Sequence, residues 1–277
     1  MLWLHTSKML VFWSESNSVD SQIKIPPPFL RSSESRLWDS VYSVFVSLPT
    51  KNRANDIQHR LACGSGFYTY SFLSWGAQSV LGVDISSVMI SSAVQPSHAE
   101  KVSFIKADCS LPSVYPGGPF DIVFGAWLLN YAPDRARLVS MFRNVAMNLK
   151  DGGQFVSITV PPSSNPIESI NAEREARPLP AGSGYLVYEP LHDVADGVYF
   201  NVHGETPVGD FDFKCYHLKK EVYEEAAREA GLNRKLEWGV TTVPERYFEG
   251  KGEGGASLEE LETYRTIPNY GILVIAK

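Results

Sequence analysis

Cysteine is scarce in this 277-residue chain, with only Cys63, Cys109 and Cys215 and no Cys-x-x-Cys pair. A disulfide-stapled scaffold and a cysteine-rich zinc site are thereby excluded, and the usage fits a reducing compartment. Long hydrophobic runs are missing too. The longest are strand-length, about a third of the ~20 residues that a membrane span needs. Excess positive charge is also absent, since 25 basic residues face 31 acidic ones for a net charge of −6. Binding along a nucleic-acid backbone would want the opposite balance. The first thirteen residues are apolar but broken by His5 and Lys8. Without a basic leader or a small-residue cleavage site they are not expected to be a signal peptide. No His-x-His or His-Glu-x-x-His spacing occurs, so no metal site is expected. The expectation is a soluble, cytoplasmic protein with neither membrane nor nucleic-acid partner.

Ordinary globular material is present, with 44% hydrophobic and 20% charged residues. Residues 1–54 read as an irregular leader, broken by Pro26-Pro-Pro28, followed by a helix over Ser35–Leu48. From residue 55 to the end a strand, glycine turn, helix pattern repeats. Strands are predicted at the run ending Leu61-Ala-Cys63, at Ser79–Val83, Val102–Ala107, Phe120–Gly125, Gln154–Val160 and Tyr270–Ala276. Helices are predicted at Phe67–Trp75, from the Ser86 cap to Val94, from Pro133-Asp134 to Leu149, and at Lys219–Ala230. In the third of these, Leu138, Met141, Phe142, Val145, Ala146 and Leu149 form one core-facing stripe. Such alternation predicts an α/β, Rossmann-like, doubly wound and mostly parallel sheet with helices on both faces. It is interrupted over about 161–217. There three short runs (184–190, 197–203, 210–217) predict an antiparallel β insertion that acts as a lid.

A doubly wound sheet binds its ligand at the carboxyl ends of the strands. The residues there are Gly64-Ser-Gly66, Asp84, Asp108 and Ala126-Trp127. Glycines 64 and 66 allow a tight turn and close approach of a ligand, although any strand-to-helix turn can use glycine. Asp84 follows Gly66 by 18 residues, where a carboxylate can accept both ribose hydroxyls; an aspartate at a helix start can equally serve the helix dipole. Thr69 stands where a dinucleotide fingerprint has its third glycine, and the Walker lysine is missing. An adenosine ligand without a demanding pyrophosphate fits best, with Asp108 accepting from the adenine amine.

At these residues the sequence resembles the class I S-adenosylmethionine-dependent methyltransferases. Leu61-Ala-Cys63-Gly64-Ser-Gly66 is similar to their first motif and Val80-Leu-Gly-Val-Asp84-Ile85-Ser86 to their second. Phe104-Ile-Lys-Ala-Asp108, Phe120 to Tyr131 and Leu149 to Phe155 resemble later signatures in the right order. The likeness spans about 58–160 and 216–277, more than half of the chain. Within the family the chain looks closest to small-molecule methyltransferases of the toxoflavin-synthase-like type. The resemblance implies S-adenosylmethionine as methyl donor and cofactor contacts from Cys63, Gly64, Gly66, Asp84, Ile85, Asp108, Cys109, Ala126 and Trp127. In it Asp84 holds the ribose diol, Ile85 packs on adenine, Asp108 takes the amine, and Ala126 and Trp127 border the sulfonium. Tyr42 would close over the cofactor.

One position departs from that pattern. Relatives usually carry an acidic residue before the Leu-x-Cys-Gly stretch, and this chain has Arg60. The segment Asn55 to Arg60 is also polar where a central parallel strand is expected to be rich in Val and Ile. A degenerate, non-transferring descendant of the fold is therefore one alternative, and a nicotinamide-dependent oxidoreductase is another. Methyl transfer is an in-line displacement that needs a base only when the attacking atom carries a proton. No fixed triad is implied and no catalytic residue is assigned. His192, His203 and His217 are candidate bases, each also readable as an ordinary surface or hydrogen-bonded histidine. Aromatics of the insertion (Tyr185, Tyr188, Tyr199, Phe200, Phe211, Phe213) are available to shape an acceptor pocket. The expected reaction is methylation of an O or N atom of a small molecule by a monomer or homodimer.

Overall fold

The computed structural model describes residues 57–61, 66–94, 100–176, 186–204, 211–241, 243, 245–249, 258–266 and 270–277. The leader, the helix expected over 35–48, Tyr42, Cys63 and Gly64 lie outside the described residues. Seven strands form one sheet: β1 (Ile57–Leu61), β2 (Ser79–Asp84), β3 (Val102–Lys106), β4 (Phe120–Ala126), β5 (Leu149–Thr159), β9 (Leu236–Val240) and β10 (Gly271–Ala276). Their spatial order is β3-β2-β1-β4-β5-β10-β9. Pairs among β1 to β5 are parallel, while β10 runs antiparallel to both β5 and β9. The order reverses between β1 and β4, so the crevice of the fold opens at their carboxyl ends.

The polar β1 holds the centre of this sheet. Arg60 sits opposite Gly82 of β2 and Phe124 of β4, and Leu61 opposite Val83 and Gly125. Gln58 to Leu61 are paired on both sides, and the apolar content comes from flanking strands. Val80, Leu81 and Val83 of β2 and Ile122, Val123 and Phe124 of β4 are all buried. Backbone pairing and the neighbours' burial thus override a weak local propensity.

Alternation along β4 and β5 sends side chains into two cores. On one face Tyr68 and Phe72 of α1 (Phe67–Ser74) pack 5.1 Å, ring to ring, on Phe124, beside Ile122, Val156, Ile158 and Ile272. On the other face α3 (Arg135–Asn148) and α5 (Lys220–Glu229) cover Val123, Phe155, Leu273 and Ile275. The predicted stripe of α3 is the buried one, with Leu138, Met141, Phe142 and Val145 at 0–2% exposure. Asp134 caps that helix by accepting the Arg137 N–H at 2.8 Å. The other helices are α2 (Ser87–Ala93), α4 (Pro166–Ala176), α6 (Glu245–Phe248) and α7 (Leu258–Thr266).

Helix α3 ends beside the expected Leu149, but the strand expected from Gln154 begins earlier. Leu149 is already extended (φ −97°, ψ 131°), and β5 starts there with a register shift against β4. Gly152 and Gly153 form a bulge whose backbone exchanges bonds with Lys277, and Lys277 Nζ donates to the α3-end carbonyls of Ala146 and Leu149 at 2.7 Å. Charge at a helix carboxyl end supplies a stop that no local motif announces.

The segment after β5 forms its own antiparallel sheet, β6 (Leu186–Val194), β7 (Gly197–Gly204) and β8 (Phe211–Leu218), separate from the main one. Its inner face, Val198, Phe200, Val202 and Cys215, is continuous with the core that holds α3. That sheet packs against the 3-10 turn Leu129–Tyr131 that follows β4 and against α4. It therefore stands at the carboxyl-end side of the main sheet. No helix among the described residues is long and apolar enough to cross a membrane.

Candidate functional site

Four strand ends meet along the carboxyl edge in the order β3-β2-β1-β4. Gly66, just before α1, is left-handed at φ +83°. A Cβ there would meet Tyr70 at 3.1 Å, Ala93 at 3.2 Å and Phe104 at 3.4 Å, so both conformation and space demand glycine. Asp84 ends β2 and is only 3% exposed. Its Oδ1 accepts the Ser86 N–H at 2.9 Å, and Ser86 in turn caps α2 by accepting from Met89. A buried carboxylate is costly unless it has donors, and the turn supplies one.

Beyond β3, Asp108 Oδ1 accepts the Ser110 N–H at 2.8 Å, which repeats the geometry at Asp84. The carbonyl of Asp84 accepts from Ala107, so the two turns are tied side by side. Cys109 is buried, with the Tyr115 hydroxyl 4.0 Å from its Sγ, and burial pushes that phenol up. Ile85 is half-buried between the two aspartates in sequence.

Past β4, Ala126 is buried and Trp127 is the single non-glycine residue at positive φ (61°) among the described residues. Such a backbone costs on the order of 1–3 kcal/mol. Trp127 N–H donates to the Ile158 carbonyl at 2.8 Å, and its ring meets Tyr270 edge-on at 4.5 Å. Next to it Thr159 Oγ1 donates to Asn130 Oδ1 at 2.7 Å, both buried.

The structure thus brings together Gly66, Asp84, Ile85, Asp108, Cys109, Ala126 and Trp127. It sets the histidines apart. His192 is exposed on the small sheet, hydrogen-bonded to the Asp193 carbonyl and stacked against Tyr199. His203 pairs with Asp212 across the same outer face. His217 is buried on the inner face with Nε2 3.0 Å from the Pro161 carbonyl, and burial pulls it down to about 4, leaving it neutral. Among the described residues no cluster of His, Cys, Asp and Glu is built to hold a metal ion. The left-handed turn at Trp127 and the Asn130–Thr159 pair have no local sequence signal, because distant strands hold both.

Two adjacent aspartates that can accept a ribose diol and an exocyclic amine, beside a glycine cradle, fit an adenosyl ligand. Residues 60–153 match the family model described as a methyltransferase domain. That stretch is similar to a methyltransferase domain. The fold agrees. An S-adenosylmethionine-dependent methyltransferase from Mesorhizobium loti is 17% identical with a TM-score of 0.56, over 87% of this chain and 98% of that one. The PH0226 protein of Pyrococcus horikoshii is 19% identical (TM-score 0.56; 89% and 91% covered). An S-adenosylmethionine-dependent methyltransferase from Clostridium acetobutylicum is 15% identical (TM-score 0.52; 87% and 91% covered). The α/β Rossmann-like fold is shared with these structures.

Proposed function

We propose that this chain is an S-adenosylmethionine-dependent methyltransferase acting on an oxygen or nitrogen atom of a small molecule, of the toxoflavin-synthase-like type. The observation that carries this reading is the pairing of Asp84 and Asp108 at adjacent strand ends inside the stretch similar to a methyltransferase domain. The bound donor supplies a methyl group already activated on a sulfonium. Asp84 holds the ribose hydroxyls, Asp108 with the Cys109 backbone receives the adenine edge, and Gly66 with Cys63 and Gly64 lets the chain pass closely. Ala126 and Trp127 border the reacting end, where the fixed indole limits how an acceptor can lie.

The region 161–217 acts as a lid on the acceptor. Its inner face is apolar and stands beside the turn after β4, which suits exclusion of water from the transfer. A proton on the acceptor needs removal only when the attacking atom carries one. Of the candidate bases, His217 is neutral and faces inward, whereas His192 and His203 lie on the outer face.

The test is transfer of a labelled methyl group from S-adenosylmethionine to a panel of small phenols, amines and heterocycles. Label recovered on an oxygen or nitrogen of one of them supports the reading. Label recovered only on protein or nucleic acid added to the same reaction contradicts the acceptor class.

A further inference from the structure

The loop that carries Asp108 makes few bonds of its own. Between β3 and β4 it runs from residue 107 to 119, and its internal backbone bonds are Leu111 N–H to Asp108 at 3.3 Å and Gly118 N–H to Tyr115 at 3.4 Å. Both are long. Four further backbone groups, the carbonyls of Ser110, Leu111 and Ser113 and the N–H of Tyr115, are met by one face of α3. Arg137 Nη1 donates to Ser110 Oγ at 3.1 Å and Ser140 Oγ to the Ser110 carbonyl at 2.7 Å. Asn144 Nδ2 donates to the Leu111 carbonyl and, at 2.9 Å, to the Tyr115 hydroxyl. Asn148 Nδ2 donates to the Ser113 carbonyl at 2.6 Å, while its Oδ1 accepts the Tyr115 N–H at 2.9 Å.

Positions 137, 140, 144 and 148 recur at helical spacing and make a polar stripe beside the apolar one. Asn144 is fully buried, yet its Oδ1 has no partner among the described residues, an arrangement that costs folding free energy. What the stripe delivers is position. It fixes Ser110, whose N–H holds the Asp108 carboxylate, and it fixes Tyr115, whose hydroxyl reaches Cys109.

We infer that Arg137, Ser140, Asn144 and Asn148 are positioning residues that hold Asp108 and Cys109 in register with an adenine edge and so set the selectivity for that base. The inference rests on the adenosyl reading of the site. A loosened loop leaves the ribose contact at Asp84 intact but blurs the geometry at the exocyclic amine. Loss at this stripe therefore falls on base discrimination more than on total affinity.

The test compares binding of S-adenosylhomocysteine with its inosine counterpart, in which a carbonyl replaces the amine. The parent is expected to prefer the adenine form. Ser140→Ala and Asn144→Ala should weaken adenine-form binding about fivefold to tenfold, the scale of one hydrogen bond, and leave inosine-form binding nearly unchanged. Ser140→Thr should restore the preference, and Arg143→Ala, on the same helix as Ser140 but removing only an exposed pair with Glu229 of α5, should not alter it. Ser140 is only half-buried, so Ser140→Ala reads the effect even if Asn144→Ala fails to fold. Unchanged discrimination in a folded Ser140→Ala protein overturns the inference, as does an equal loss for both probes, which marks a merely structural role. A parent that binds neither probe fails differently: the adenosyl reading itself falls, and the inference with it.

Discussion

The N–H of Ala107 donates to the carbonyl of Asp84 at 3.0 Å, which sets the next residue, Asp108, beside Asp84. Each carboxylate is held by the N–H two residues on, from Ser86 and Ser110. Two negative groups are thereby presented along one edge by backbone geometry, without reliance on flexible side chains.

Asp84→Ala is expected to fold and to lose cofactor binding by at least about tenfold, since hydrogen bonds to a charged group are worth about 1.5–3 kcal/mol each. Titration of the folded variant with S-adenosylhomocysteine checks this. Parent-like affinity would remove Asp84 from the site.

Gly66→Ala forces a methyl group into a left-handed residue already within 3.2 Å of two side chains. A stability loss on the order of 1–3 kcal/mol is expected, measured by urea unfolding, together with weaker cofactor binding. A variant as stable as the parent would show that the turn can relax.

Thr159→Val keeps the shape of the side chain but strips the donor from buried Asn130. A loss of about 1–3 kcal/mol is expected in urea unfolding. Since the pair joins the end of β5 to the turn after β4, methyl transfer should fall with it. No change in stability would mean that Asn130 finds another donor.

The neutral, buried His217 makes stability pH-dependent. Its folded pKa of about 4 lies below the ordinary value of 6.5, so the unfolded chain takes up the proton first as pH falls. Its contribution is fully present above pH 6.5 and is lost progressively down to about pH 4, by roughly 3 kcal/mol at most. Urea unfolding at neutral and at mildly acidic pH should show a steeper fall for the parent than for His217→Gln. Parallel curves would assign the acid sensitivity to other groups.

Much of the fold is legible in the sequence because its signals are local. The apolar runs of β2, β4, β5 and β10, the caps Ser86 and Asp134, and the α3 stripe all stand where spacing and capping predict them. The three runs after Pro161-Pro162 pair as an antiparallel sheet. What escaped reading depends on distant partners. β9, with Leu236 and Trp238 half-buried among exposed residues, becomes a strand because β10 lies alongside. The α4 helix over Pro166–Ala176 reads only as loop or weak helix in the sequence, yet it forms against β6 and β7. Polar β1 forms because two apolar strands flank it. The place of Asp84 and Asp108 at the ends of β2 and β3 is legible from the apolar runs before them. The left-handed Trp127 and the α3 polar stripe are not legible, since one is imposed by β5 and the other serves a loop some thirty residues earlier.

Calorimetric titration of the full chain with S-adenosylmethionine and S-adenosylhomocysteine, with NADH as control, tests the central claim most directly. Binding of the two sulfur compounds in the micromolar range, with none of NADH, is the expected result. A folded protein that binds neither of them, or that prefers NADH, would contradict it.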